Sequence, residues 1–269
     1  MRVDVRLFGG LAERAGSSHV AVELPASATV ADLRRAVATA HPTLGPLVDR
    51  SGVAVDLEVR ADDHPVRDDA EVALLPPVAG GSDACDDHRE RLDAAAGADD
   101  RARSPDAAAG ADDPQGGVRR LTGLREPPLD VAGTLAAIAH PAAGATALFL
   151  GTVRDHAPDL DGVVRLDYSA YPAMAERVLA RLASEVVADH PEIRGIALLH
   201  AVGDLDVGAH TVLVACAAPH RDQAFVACRD ALERVKDQTP VWKREVTADG
   251  AHRWVGLPGA TTGPPGGDR

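Results

Sequence analysis

Leu74-Leu75-Pro76-Pro77-Val78-Ala79-Gly80-Gly81 carries the chain from an apolar strand through two prolines into a glycine pair. Two adjacent residues without Cβ atoms let an extended tail thread a narrow channel, as a tail with a reactive last carboxyl group must do. Taken alone, a Gly-Gly pair is more often a turn or a linker. Here 188 of the 269 residues follow it, so a reactive tail requires position 81 to become a free end.

The residues before this stretch define a small fold. Val3, Val5 and Leu7, then Val20, Val22 and Leu24, alternate with polar or small residues in the period-two pattern of strands buried on one face. Thr29, with Asp32 three residues later, caps a helix whose Val30, Leu33 and Val37 form one stripe and which His41-Pro42 ends. Two more strands are expected at 53–59 and 71–75. The order strand, strand, helix, strand, strand describes a mixed sheet with one helix packed across it.

Residues 82–117 differ from both flanks. The octet Asp-Ala-Ala-Ala-Gly-Ala-Asp-Asp occurs at 93–100 and again at 106–113, and large apolar residues are nearly absent. Nothing there offsets chain entropy, which predicts a disordered linker. As a flexible coil it would span roughly 30 to 36 Å, holding its flanking domains at an effective concentration on the order of millimolar.

A second domain is expected over 118–255. It opens with a helix at 130–139, followed by strands at 145–153 and 163–169. Pro172 then starts a helix with Met174, Val178, Leu182 and Val186 on its buried face. Strands follow at 193–202 and 210–217, and Phe225, Cys228, Leu232 and Val235 mark the apolar face of a last helix that Pro240 ends. The Gly- and Pro-rich residues 256–269 read as a frayed tail.

Charge and composition exclude several functions. The net charge of −13 divides as 8 basic against 12 acidic residues in 1–81, 4 against 10 in 82–117 and 16 against 19 in 118–269. An acidic chain without a basic arm does not suit nucleic acid, whose binding rests on clustered Lys and Arg. Without an 18-residue apolar run or a basic-then-apolar leader, neither a membrane span nor secretion is expected, and the cytoplasm is the default. Three cysteines without C-x-x-C spacing make no disulfide framework; Cys216 and Cys228 sit in apolar runs as small core residues, and Cys85 in the linker. The eleven histidines show no metal-ligand spacing, so no metal is expected.

Only two of the 28 basic residues are lysines, and both Lys236 and Lys243 fall in one eight-residue segment. Where arginine has replaced lysine nearly everywhere, the survivors suggest positions that need a flexible primary amine. Around them stand Arg154 at the end of a strand, His220-Arg221 at the start of the last helix, and Trp242-Lys243-Arg244-Glu245 just beyond Pro240. Helix N-terminal N–H groups beside His220 and Arg221 suit an anionic phosphate. Each arginine alone reads as ordinary surface charge; as a set with the lysines they suggest an anion pocket.

These residues resemble a known family. Arg6-Leu7-Phe8-Gly9-Gly10-Leu11-Ala12, Asp69-Ala70-Glu71-Val72-Ala73 and the Gly80-Gly81 tail resemble the small, sulfur-carrying subunit of molybdopterin synthase. Phe149-Leu150-Gly151-Thr152-Val153-Arg154-Asp155-His156, Tyr171-Pro172-Ala173-Met174, Ala218-Pro219-His220-Arg221, Lys236 and Pro240-Val241-Trp242-Lys243-Arg244-Glu245 resemble its large, catalytic subunit. The resemblance implies an α+β chain: a β-grasp, ubiquitin-like domain over 1–81 and an α/β hammerhead-type catalytic domain over 118–255.

It also implies a sulfurtransferase in molybdenum cofactor biosynthesis. Gly81, loaded as a thiocarboxylate, gives sulfur to cyclic pyranopterin monophosphate, and two transfers build the dithiolene of molybdopterin. No other cofactor is implied. By family position Lys236 is the principal catalytic residue and Lys243 assists. Arg154, His220 and Arg221 bind the substrate phosphate, with Thr152, Arg244 and Glu245 as further substrate contacts. A thiocarboxylate and a phosphate entering one pocket both need fixed cations. Neighbouring cations lower an amine's pKa, whereas a helix C-terminus raises it.

The implied partners are an adenylating and sulfur-donating enzyme, a protease cutting after Gly81, and a second copy joined through the large domain; neither nucleic acid nor membrane is among them. An amide to Ser82 leaves Gly81 no carboxylate to activate, so the uncut chain should be inactive. Two other readings remain: a precursor of a general sulfur carrier, and a non-catalytic module that recognises a pterin phosphate.

Overall fold

The computed structural model describes residues 1–77, 117–157, 160–256 and the backbone of 261–262. Gly80, Gly81, Cys85 and nearly all of the 82–117 linker lie outside the described residues.

Residues 1–77 begin with β1 (Arg2–Leu7), helix α1 (Gly9–Ala15) and β2 (His19–Glu23), with Val5 opposite Val20 across the antiparallel pair. Their inward valines and Leu7 are buried with Val30, Leu33 and Val37 of α2 (Val30–Ala40), the stripe read from the sequence. The capping box forms as expected: the Thr29 hydroxyl accepts from the Asp32 N–H at 3.4 Å, and the Asp32 carboxylate accepts from the Thr29 N–H at 3.0 Å. After the short α3 (Gly45–Val48), β3 (Gly52–Val55), β4 (Glu58–Val59) and β5 (Val72–Leu75) complete a sheet of order β2-β1-β5-β3-β4. The last strand, β5, runs parallel to β1 in the middle of the sheet, which is the β-grasp arrangement.

Two features depart from the sequence reading. The single strand expected at 53–59 is a tight hairpin, because Asp56 (φ 54°) and Leu57 (φ 67°) both take left-handed conformations between β3 and β4. Helix α1 was not expected; its glycine start hides it, although Gly16 at φ 66° makes an ordinary left-handed helix end.

The second part contains β6 (Arg119–Arg125), α4 (Val131–Ile138), β7 (Ala145–Thr152), β8 (His156–Ala157), β9 (Leu160–Asp161), β10 (Val163–Ala170) and α5 (Pro172–Asp189). Then come β11 (Gly195–Ala201), β12 (Gly203–Asp206), β13 (His210–Ala218), α6 (Arg221–Gln238), β14 (Val241–Thr247), β15 (His252–Trp254) and β16 (Thr261–Thr262). One large sheet has the order β6-β11-β13-β7 and the other β12-β10-β14-β15-β16, while β8 and β9 pair as a separate two-stranded ribbon. Alternation along β13 gives the first sheet two buried faces. Val212, Val214 and Cys216 join the core that includes α5 and α6, whereas Leu213 and Ala215 join a second core with Leu166 and Leu205 of the other sheet.

Met174, Val178, Leu182 and Val186 of α5 are buried, as are Cys216 and Cys228. Phe225 corrects the reading of α6: it is 66% exposed. The buried stripe runs through Ala224, Ala227, Cys228, Ala231, Leu232 and Val235. Small alanines let the helix close on β7 and β13, and residue 225 lies about 100° round the helix from residue 224. The strands β6, β12 and β14 were also missed, since their charged or glycine-containing sequences do not display a buried face. Among the described residues no helix is long and apolar enough to cross a membrane.

Candidate active site

The two parts meet along a seam at the root of the tail. Pro76 and Pro77 are buried, and the Trp242 indole N–H donates to the Pro76 carbonyl at 2.7 Å. Phe8 stacks on Tyr171 with ring centroids 4.8 Å apart and on Trp242 at 5.1 Å. Gly9 fits this close approach: its φ is +52°, and a Cβ there would stand 3.2 Å from Trp242.

Ionic contacts frame the aromatic centre. Glu71 accepts from the Tyr171 hydroxyl and from Arg6, each at 2.5 Å, and the tyrosine bond first and Arg6 second hold its carboxyl below the ordinary range. Glu13 accepts from the Trp254 indole at 2.8 Å, faces His252 at 3.0 Å and meets Arg244 at 3.4 Å. Burial opposes the charge on Glu13, but these partners outweigh it and lower its pKa.

Strand β14 serves two sides at once. Side chains alternate across a strand, so Trp242 and Arg244 face the seam while Lys243 and Glu245 face the other way. That other face opens on a small polar cavity of about 90 Å³, lined by residues that include Thr152, Arg154, Tyr168, Thr211, Lys243 and Glu245. The Lys243 ammonium is 3.5 Å from Glu245, whose 5% exposed carboxylate also accepts from Arg253 at 2.8 Å. Burial pushes the Lys243 pKa down; Glu245 opposes the shift, while Arg154 and Arg253 add to it. The arrangement provides an amine that sheds its proton more readily than an exposed lysine, beside a cationic entrance suited to an anion.

The structure brings together Lys243, Glu245, Thr152 and Arg154 from the expected site. Lys236 is exposed, with its ammonium 5.9 Å from the centre of the Phe149 ring. Helix α6 returns it to this end of the sheet, since 18 residues span about 27 Å. His220 and Arg221 stay behind. The register sets His210 opposite Thr152 but Ala218 opposite Ala145, so the start of α6 lies eight residues, about 27 Å, along β13 from the cavity. Within one chain these two residues do not join the lysines. Arg244 points to Asp167, at 2.6 Å, and to Glu13 rather than to the cavity.

A larger groove of about 260 Å³, bordered by His190, Ile193 and Val226, lies toward that far end of α6 and away from the cavity. Sequence reasoning missed Tyr168, Thr211 and Arg253. The signal for Tyr168 and Arg253 was the pairing of β14 with β10 and β15, which cannot be read until β14 is recognised as a strand.

The fold and seam define a ubiquitin-like carrier docked by the root of its tail on a catalytic domain. The MoaE protein model matches residues 124–238 and the ThiS family model matches residues 5–81. A molybdopterin synthase catalytic subunit of Halalkalibacterium halodurans is 38% identical over 144 residues, covering 54% of this chain and 90% of that protein. One from Aspergillus niger is 39% identical over 127 residues, covering 47% of this chain and 69% of its own length. Molybdopterin synthase catalytic subunit 1 of Mycobacterium tuberculosis is 40% identical over 133 residues, covering 49% and 88%. The chain belongs to the molybdopterin synthase catalytic subunit family, with a ThiS-family domain in the same polypeptide.

Proposed function

We propose that this chain makes molybdopterin by passing sulfur from a thiocarboxylate on Gly81 to cyclic pyranopterin monophosphate. The observation that carries this reading is the bond from Trp242 to the Pro76 carbonyl, which seats the root of the tail on the strand that bears Lys243. Gly81 lies five residues beyond Pro76, a reach of at most about 17 Å.

In this mechanism Arg154 and Thr152 receive the substrate phosphate. Lys236 is the principal catalytic amine, and Lys243 accepts a proton or holds the intermediate. Glu245 acts as the counter-ion that retains Lys243 and Arg253, and Arg244 secures docking. Each transfer forms one carbon–sulfur bond on the substrate in place of a carbon–oxygen bond, whose oxygen leaves as water or stays on the phosphate, and breaks the acyl–sulfur bond, with water returning Gly81 to a carboxylate. One dithiolene therefore consumes two thiocarboxylates. A second copy, paired through the catalytic domain, would supply His220 and Arg221 to the cavity.

Reloading needs a free carboxyl at Gly81 for an adenylating and sulfur-donating enzyme, so a protease must cut after Gly81. The domain limits of 1–81, 82–117, 118–255 and 256–269, the disordered tether, the hammerhead-type catalytic fold and the cytoplasmic setting belong to the same proposal. Intact-mass measurement of protein from its native host tests it. The expected species are a 1–81 fragment, with a fraction heavier by the exchange of oxygen for sulfur, and its complementary fragment. Full-length chain alone, alongside robust molybdopterin formation, would refute the cleavage step. Lys236→Ala is expected to abolish product without unfolding the protein; unchanged turnover would favour a carrier-only role.

A further inference from the structure

Tyr168 stands directly opposite Lys243 in the pairing of β10 with β14, and cross-strand partners share a face about 5 Å apart. Both line the small cavity. Tyr168 belongs to one sheet, yet it lines the cavity beside Thr211 of β13 in the other, and its ring meets the ring of His200 on β11 edge-on at 5.0 Å. The tyrosine thus bridges the two sheets at the wall beside Lys243.

We propose that Tyr168, wedged against Thr211 and His200 of the other sheet, is a positioning residue that keeps Lys243 dry and aimed into the cavity. The groups facing Lys243 are Glu245 on its own strand, Arg253 on β15, Arg154 after β7, and Tyr168 and Thr211 across the cavity, with His156 at the rim. Glu245 and the two arginines set a charge balance that a hydroxyl cannot replace. What Tyr168 supplies is a fixed wall. Burial raises its own pKa to about 12, so at neutral pH it stays a neutral hydrogen-bonding group rather than an acid or base. His200 behind it is pushed down to about 4 by burial and is likewise neutral. Releasing the wall admits water to the amine, and rehydration favours the ammonium form.

The inference rests on Lys243 belonging to the sulfur-transfer site, but its test does not need turnover. The sequence holds only two lysines, so competitive acetylation with trace acetic anhydride across pH, read peptide by peptide by mass spectrometry, titrates Lys243 with Lys236 as internal reference. In the full chain, Tyr168→Leu and Thr211→Val should both raise the Lys243 midpoint, by about half a pH unit or more, a roughly threefold change in the protonation ratio. Lys236 should not move. In a turnover assay, kcat should fall more than KM rises. An unmoved Lys243 midpoint in both folded variants would overturn the proposal, as would Lys236 shifting in step with it. If Tyr168→Leu does not fold, Thr211→Val decides alone. Failure of synthase activity in the unaltered protein would instead count against the functional reading and leave the titration interpretable.

Discussion

Trp242→Phe isolates one bond at the seam. Phenylalanine keeps most of the ring that stacks on Phe8, while the indole N–H that reaches the Pro76 carbonyl at 2.7 Å is lost. A net hydrogen bond is worth about 1 kcal/mol, and leaving its carbonyl buried without a partner costs about 1–3 kcal/mol. A loss near 2 kcal/mol weakens docking about 30-fold. The effect should be visible only after cutting at Gly81, because in the uncut chain the two parts are covalently joined and docking is intramolecular. Titrating the separated 1–81 fragment into its catalytic counterpart by calorimetry measures the affinity. The variant also leaves Trp254, itself bonded to Glu13, as the sole tryptophan reporter of the seam. An affinity within threefold of the unaltered protein, with thermal stability unchanged, would refute the view that this bond anchors the tail.

Acid should loosen the same seam. Glu13 and Glu71 both have lowered pKa values in the docked state, so their contribution is present above the ordinary carboxylate range and is lost as pH falls through the docked values. Docking measured across pH should weaken below about 4.5, and the double variant Glu13→Gln, Glu71→Gln should flatten the profile. Tyr171→Phe removes the hydroxyl bond to Glu71 but leaves Arg6 in place; with Glu71 partly exposed, a loss of about 0.5–1 kcal/mol, some two- to fivefold in affinity, is expected by calorimetry. Lys243→Arg keeps the cation beside Glu245 but cannot become neutral near physiological pH. Molybdopterin formation should fall at least about tenfold, or 1.4 kcal/mol, with docking unchanged; full activity would exclude a role for a neutral amine there.

Most of the carrier fold was legible because its strands are short and one-sided. Val3, Val5 and Leu7 alternate cleanly, and Thr29 with Asp32 announces a helix start that the structure repeats bond for bond. The hairpin at Asp56-Leu57 was not legible, because neither residue advertises a positive φ. In the catalytic part, the apolar stripe of α5 was plain, whereas that of α6 is built largely from alanines, which drew the reading toward the bulkier but exposed Phe225. The scarcity of lysine stood out in the sequence, and Lys243, though not Lys236, lines the cavity. The other cavity walls did not stand out, since Tyr168, Thr211 and Arg253 reach Lys243 only through strand pairing and sheet stacking, which are long-range relations with no local pattern. Arg244 looked like an anion contact for the same reason: alternation along β14 turns it toward Asp167 and Glu13, and that strand was unread.

The place of β5 has a mechanical consequence. Because it is paired on one side to β1 and on the other to β3, the tail leaves from the stiffest line of the carrier rather than from a fraying edge. The start of the tail at the buried Pro76 and Pro77 is thus set from both sides, and adding or deleting a single residue in β5 would displace whatever follows Pro77 by up to about 3.5 Å, more than the length of a hydrogen bond.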